Sequence, residues 1–339
     1  MLMTDGYGRT IDYLRISVTD RCDLKCKYCM PREERCSLPG DIMTDEEILL
    51  AVEAAAMQGI CKIKITGGEP LIRENIIALI QKIRKVPGIE AVTLTTNGLH
   101  LKERAEELKR IGIDGINISL DTMDPEKYEE ITGADRHPQV LDGVFTAADL
   151  GLKVKINAVS LDMDGGTSKL LQQGVLPPDI RALIDLAKDR PIDVRFIELM
   201  PIGQGKHYRS VSHADFLRLF EEEFSGVQKD PARHGNGPAE YYRIDGYCGS
   251  IGLISAIHGR FCDCCNRIRL TADGKLKSCL CFTENADLLP VLRASERDDL
   301  KREKLGEMIR NVILEKPIQH CFERSDQITE SKDMVSIGG

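Results

Sequence analysis

Tryptophan is absent from this 339-residue sequence, and aromatic residues make up only 5% of it. No run approaches the ~18 uninterrupted apolar residues of a membrane span. Met1 to Thr10 has neither a basic head nor an apolar stretch, so it does not read as a secretory signal. The net charge is −8, which argues against the broad basic field that grips DNA or RNA. A local group of Arg and Lys could still hold a small anion. There is no G-x-S-x-G elbow and no P-loop Gly-Lys-Ser/Thr. The seven histidines are scattered, none beside a nucleophile motif, and read as core or surface residues. What remains is the composition of an ordinary soluble globular protein. Its length suits one large domain with an elaboration, or two domains.

Cysteine, by contrast, is plentiful: there are twelve. Without a secretory signal the expected compartment is the reducing cytoplasm, where metal binding is a better reading than disulfides. The cysteines are also gathered, three between Cys22 and Cys29 and five between Cys262 and Cys281. Cys22, Cys26 and Cys29 have C-x3-C-x2-C spacing, which chance would produce roughly 0.015 times in such a sequence. A structural zinc site takes four ligands, usually from two knuckles. Three thiolates on one tight loop suit instead a four-iron cluster with one iron left open. Cys262, Cys265 and Cys279 form a second three-thiolate set. Here a zinc knuckle is the more serious rival, because Cys264 and Cys281 compete for ligation and Cys321 or Cys248 could complete a closed site. Arg267 and Arg269 alternate along a predicted strand and so share one face. They could neutralise an anionic ligand, or simply form a solvated strand face.

Strands are predicted at Ile11–Thr19, Ile63–Thr66, Val92–Thr95, Gly115–Leu120, Val154–Val159 and Val194–Glu198. Helices are predicted at Asp45–Met57, Asn75–Val86, Leu101–Ile111, Val140–Leu150 and Asp179–Ala187. The alternation implies βαβ units and a parallel sheet, doubly wound or curled into a full or partial barrel, with ligands at the C-terminal strand ends. Thr44 with Glu47 forms a capping box. The Gly- and Pro-rich stretch from Asp162 to Pro178 reads as an exposed excursion. After Met200 come a helix at His213–Phe224, hairpin-like runs at Tyr241–Ile244 and Ser250–Ile254, a turn at Asp273-Gly274, and a polar tail from Cys321 to Gly338-Gly339.

The first cysteine spacing, with Tyr28 at its aromatic position, resembles the signature of the radical S-adenosylmethionine (SAM) superfamily. Thr66-Gly67-Gly68-Glu69-Pro70, Thr95-Thr96-Asn97-Gly98 and Ser119-Leu120-Asp121 match it at successive strand ends. The run Arg15 to Cys22, Arg195-Phe196-Ile197-Glu198 with Met200, the Cys-Asn-Arg-Ile-Arg-Leu run from Cys265, and the final Gly-Gly narrow the resemblance. They point to the GTP 3′,8-cyclases of molybdenum cofactor biosynthesis (the molybdenum cofactor biosynthesis protein A family).

This resemblance implies an α/β fold: a partial, TIM-like barrel of parallel strands over residues 1–205 and a smaller C-terminal α+β region over 206–339. It implies two [4Fe-4S] clusters, the first on Cys22, Cys26 and Cys29 and the second on Cys262, Cys265 and Cys279, with Cys264 a spectator. SAM contacts would be Tyr28, Gly68, Ser119 and Met200. GTP contacts would be Arg15, Lys64, Thr95, Lys155, Arg195, Arg267 and Arg269. Lys64 stands where some members carry Arg, so the charge is kept but the bidentate fork is lost. The reaction implied is hydrogen removal from the GTP ribose C3′ by a 5′-deoxyadenosyl radical, followed by attack of C3′ on guanine C8. Arg267, Arg269, Gly338 and Gly339 are the candidate catalytic residues. The implied partners are an electron donor, a second copy of the chain, and a functional link to cyclic pyranopterin monophosphate synthase, with no nucleic-acid polymer and no membrane. The excursion from 162 to 178 looks longer than usual for the family and could crowd the mouth of the site. Another radical SAM enzyme, such as a peptide-modifying maturase, would explain both cysteine sets but not the arginine pair with Gly338-Gly339. A zinc-stabilised binding protein would not explain motifs at successive strand ends.

Overall fold

A computed structural model describes residues 3–31, 41–211, 213–232, 234–259 and 261–338. The strands are β1 (Tyr13–Ser17), β2 (Lys62–Thr66), β3 (Ala91–Thr96), β4 (Gly115–Ser119), β5 (Val154–Val159), β6 (Leu161–Asp162), β7 (Ile192–Ile197), β8 (Arg209–Ser210), β9 (Gln228–Asp230), β10 (Glu240–Arg243), β11 (Ile251–Ile254), β12 (Arg267–Leu270), β13 (Lys275–Lys277) and β14 (Ala286–Asp287). The helices are α1 (Asp45–Met57), α2 (Ile76–Arg84), α3 (Leu101–Arg110), α4 (Pro125–Thr132), α5 (His137–Asp149), α6 (Gly166–Gln172), α7 (Pro178–Asp185), α8 (His213–Glu223), α9 (Leu289–Leu292) and α10 (Asp298–Leu314). The six strands expected before residue 200 are all present, as β1 to β5 and β7, with ends shifted by a residue or two.

One sheet of the described residues runs β14-β13-β12-β1-β2-β3-β4-β5-β7-β11-β10-β9. From β12 through β11 every pairing is parallel. The strands do not close into a ring, so the architecture is a partial barrel. Ile63, Ile65, Val92, Leu94, Ile116, Ile118, Val154 and Ile156 are buried between the strands and the outer helices, as parallel sheets with covered faces require. The expected capping box opens α1: Glu47 N donates to Thr44 Oγ1 (3.2 Å) and Thr44 N donates to Glu47 Oε2 (2.8 Å). Among the described residues no helix is long and apolar enough to cross a membrane.

Two features were not foreseen. The strands after residue 205 are built into the barrel sheet itself, β12 pairing with β1 and β11 with β7. The segment 255–266, between β11 and β12, therefore joins the two edges of the open barrel. The stretch 162–178, expected as an exposed excursion, keeps most of its residues at least partly exposed but carries a strand and a helix. β6 pairs antiparallel with β8, and Leu171 on α6 is buried with Val211 and Leu219. Leu171 belongs to a short apolar helix face that the surrounding glycines and prolines obscure. None of these residues lines the central cavity, so they do not crowd it.

Candidate functional site

The open barrel encloses a cavity of about 850 Å³, within the size range of small-molecule sites. All seventeen residues expected to touch clusters, SAM or GTP line it: Arg15, Cys22, Cys26, Tyr28, Cys29, Lys64, Gly68, Thr95, Ser119, Lys155, Arg195, Met200, Cys262, Cys265, Arg267, Arg269 and Cys279. Gly338 reaches the same interior from the C-terminus. Its carbonyl accepts from Arg269 Nη1 (3.2 Å), Thr66 Oγ1 (3.3 Å) and Arg15 Nη2 (3.5 Å). Gly339 lies outside the described residues.

The first thiol triplet follows the C-terminal end of β1. Its loop is pinned to the end of α4, with Lys25 N donating to Thr132 O and Lys27 N to Ile131 O (both 2.9 Å). The Gly67-Gly68-Glu69 segment lies against residues 19–21: Gly68 N donates to Thr19 O (2.7 Å) and Glu69 N to Arg21 O (2.8 Å). A Cβ on Gly68 would collide with Arg21 O, and one on Gly67 would stand 2.6 Å from Thr19 O. Only glycine permits this approach. Glu69 is fully buried; its carboxylate accepts from Leu71 N (2.9 Å), Thr96 Oγ1 (2.8 Å) and Asn97 N (2.6 Å). Burial nevertheless pushes its pKa up to about 7. Tyr28 Oη donates to Asp121 Oδ2 (2.7 Å), whose other oxygen accepts from Val159 N (2.8 Å); burial raises Asp121 to about 6. Burial also raises Cys22 and Cys29 to about 12 and puts Cys26 well above its ordinary value. Three such thiols become ligands only where a cation offsets their charge.

Two members of the second triplet come from the connection between the barrel's edges. Cys262 and Cys265 precede β12, and Cys279 follows β13. β12 runs parallel to β1 in the register Tyr13↔Arg267. The first triplet therefore lies beyond one end of this strand pair and the second at the other, separated by at least the pair's length, roughly 13 Å. Burial opposes ionisation of Cys265, but the charges of Arg267 and Lys316 and hydrogen bonds from Arg267 outweigh it and bring the thiol to about 6. The rival ligands point elsewhere. Cys264 is exposed, its thiol donating to Phe261 O (3.4 Å). Cys281 is buried 2.8 Å from Cys321, Sγ to Sγ. Among the described residues no three His, Cys, Asp or Glu side chains could hold a single metal ion. Each triplet instead faces the shared cavity, and the three-thiolate donor sets fit clusters whose irons each take one thiolate.

Between the triplets the strand register creates a ladder of cations. Arg269 on β12 is opposite Arg15 on β1, which is opposite Lys64 on β2. Like charges on neighbouring strands repel; Lys64 and Arg269 are buried and Arg15 is half-buried. Burial lowers Arg15 to about 10 and puts Lys64 and Arg269 well below their ordinary values, each reinforced by neighbouring cations. Arg195 on β7 donates to Asn157 Oδ1 (2.5 Å), while its Nε is buried without a partner. Thr95 Oγ1 is likewise buried and unpaired. Gly252 opposite Arg195 makes room for it, since a Cβ there would stand 2.8 Å from Arg195 Cγ. Lys155 is paired with Asp193 (2.5 Å). Among the described residues Lys64, Arg195, Arg267 and Arg269 form no ion pair with a carboxylate, so the cavity offers cations to a polyanion.

Some lining residues were missed. Asn157 shares a face with Lys155 through strand alternation, a signal that was available. Lys316 and the loop from His234 to Pro238 carry no local signal; only the fold brings them to the cavity.

Comparisons with known proteins agree with this geometry. The sequence model of the Radical SAM superfamily matches residues 16–165, and that of Molybdenum Cofactor Synthesis C matches residues 192–322. A GTP 3′,8-cyclase of Clostridium perfringens (strain 13 / Type A) is 41% identical over 338 residues, covering 99% of this chain and 100% of the relative. One from Peptoclostridium acidaminophilum is 42% identical over 347 residues, covering 100% of this chain and 98% of the relative. Among solved structures, Streptococcus suis SuiB bound to S-adenosylmethionine superposes with a TM-score of 0.60 at 18% identity, over 95% of this chain and 76% of that one; this likeness bears on the fold alone. With near-complete mutual coverage by its relatives, and with motif residues from both halves facing one cavity, the chain belongs to the GTP 3′,8-cyclase family.

Proposed function

We propose that this protein converts GTP to (8S)-3′,8-cyclo-7,8-dihydroguanosine 5′-triphosphate, the first step of molybdenum cofactor biosynthesis, by radical SAM chemistry. One observation carries the reading: two three-thiol sets face each other across a cavity whose middle is crossed by a row of cations on three neighbouring strands, Arg269, Arg15 and Lys64. Cys22, Cys26 and Cys29 would hold the SAM-binding four-iron cluster; Cys262, Cys265 and Cys279 would hold a second. With the first cluster and SAM bound, the site supplies reductive cleavage of the sulfonium to a 5′-deoxyadenosyl radical.

The chain's own residues orient and enclose. Tyr28, Gly68, Ser119 and Met200 line the SAM end. Glu69, buried and held by three hydrogen bonds, fixes the turn whose Gly67 and Gly68 line the cavity. Arg15, Lys64, Lys155, Arg195, Arg267 and Arg269 grip the triphosphate, and Thr95 offers its unpaired hydroxyl. Held at both ends, the ribose lies between the two triplets, which supplies the positioning on which hydrogen removal at C3′ depends. Gly338 brings the tail's backbone to Arg15 and Arg269. We place the enzyme in the cytoplasm as a homodimer that takes electrons from a separate donor and supplies cyclic pyranopterin monophosphate synthase.

Anaerobic reconstitution followed by incubation with SAM, GTP and dithionite tests this. The expected result is about eight irons per chain, with GTP-dependent 5′-deoxyadenosine and cyclised nucleotide by mass spectrometry. Eight irons and 5′-deoxyadenosine without a GTP product would move the chemistry to another substrate. Bound zinc with no SAM cleavage would overturn the reading.

A further inference from the structure

The stretch from Lys316 to His320, just beyond α10, touches all three arms of the second thiol triplet. Lys316 Nζ donates to Arg267 O (2.9 Å), two residues after Cys265, and to Ser278 O (2.5 Å), one residue before Cys279. His320 N donates to Cys262 Sγ (3.4 Å). Arg9, buried and paired with Asp5 (2.6 Å), fastens the same stretch to the triplet. Its Nη1 donates to both Cys262 O and Ile318 O (2.9 Å each), and its Nη2 to Pro317 O (2.6 Å). Lys316 is only 3% exposed, and among the described residues it has no carboxylate partner. A lysine is seldom buried unless its charge is matched. Carbonyl dipoles match part of it, and Lys316 lines the cavity beside Cys262, Cys265 and Cys279.

We propose that Lys316 is the fixed counter-charge of the second cluster, raising that cluster's reduction potential and tying together the strands that carry its ligands. The proposal rests on the second triplet holding an iron–sulfur cluster. A cluster on three thiolates is anionic and becomes more so on reduction. A cation fixed in a poorly polarisable wall therefore favours the reduced form, and the backbone N–H at Cys262 Sγ acts in the same direction. Lys316 is a positioning residue and takes no part in bond making.

The test uses full-length, anaerobically reconstituted protein, as wild type, Lys316→Met and Lys316→Arg. A parallel set with Cys22, Cys26 and Cys29 replaced by Ala assigns the second cluster's signal. Iron and sulfide are counted, and the second cluster is followed by electron paramagnetic resonance during a redox titration. The expected result is a lower midpoint potential in Lys316→Met, with the wild-type value largely restored in Lys316→Arg. Loss of about half the iron in Lys316→Met but not in Lys316→Arg would equally support the counter-charge. An unchanged potential in Lys316→Met, or iron loss in both variants, would overturn it. Four irons in the wild type would instead remove the premise of a second cluster.

Discussion

Glu69 is an acid buried where its charged form is disfavoured, although three hydrogen bonds hold that form. Its folded pKa, about 7, lies above the ordinary 4.5. The folded state therefore binds the proton more tightly than the unfolded one, and this contribution is complete below about pH 4.5 and lost as pH rises through about 7. Without SAM the protein should lose stability across that window. Glu69→Gln should flatten the loss when melting temperature is followed from pH 5 to 8. Gly68 makes a steric prediction. Gly68→Ala forces Arg21 O to move, so it should cost more than about 2 kcal/mol in a urea melt and weaken SAM binding measured by calorimetry. A wild-type affinity in that variant would mean the approach of 67–69 to 19–21 is not required.

Among the elements, the C-terminal tail has the clearest consequence. Val335 and Ile337 are buried, so the last described turn, Met334–Ile337, is anchored by packing and holds Gly338 at Arg15, Thr66 and Arg269. Gly338 has φ +71°, and a Cβ there would stand 2.7 Å from Thr66 Oγ1. Removing Gly338 and Gly339 should leave iron content and SAM cleavage intact while cyclised product falls at least tenfold; normal cyclisation would refute a role for the tail. α6 gives a stability prediction. Leu171→Ala should cost about 2–5 kcal/mol without altering iron content, because α6 lies away from the cavity.

The sequence made the first six barrel strands legible because each is a β-branched run next to a helical period. Both cysteine triplets and the Arg267/Arg269 pair were legible through spacing and alternation. The anchoring of the tail was not, since Val335 and Ile337 sit in a polar stretch without periodicity. Nor was the clamp around the second triplet, because Arg9 and Lys316 lie more than three hundred residues apart and neither has a local pattern.

For the whole molecule, the net charge of −8 surrounds a cationic interior. Inorganic tripolyphosphate should therefore raise the melting temperature of the apoprotein, by an amount that shrinks with added salt. Lys64→Met should lose most of the effect, and an equal shift in that variant would show that the anion binds elsewhere. The pairing of β1 with β12 also sets an order of events during synthesis. At ~5–20 residues per second, Leu270 leaves the ribosome roughly 10–50 s after Ser17. Until then the first strand keeps one open edge, and the opposite rim ends at β7 or β11. The loop bearing Cys22, Cys26 and Cys29 is made early, but the wall that shelters it comes last. Enclosure of that loop thus waits for β12, and nascent chains halted before Arg267 would expose three thiols to oxygen without it.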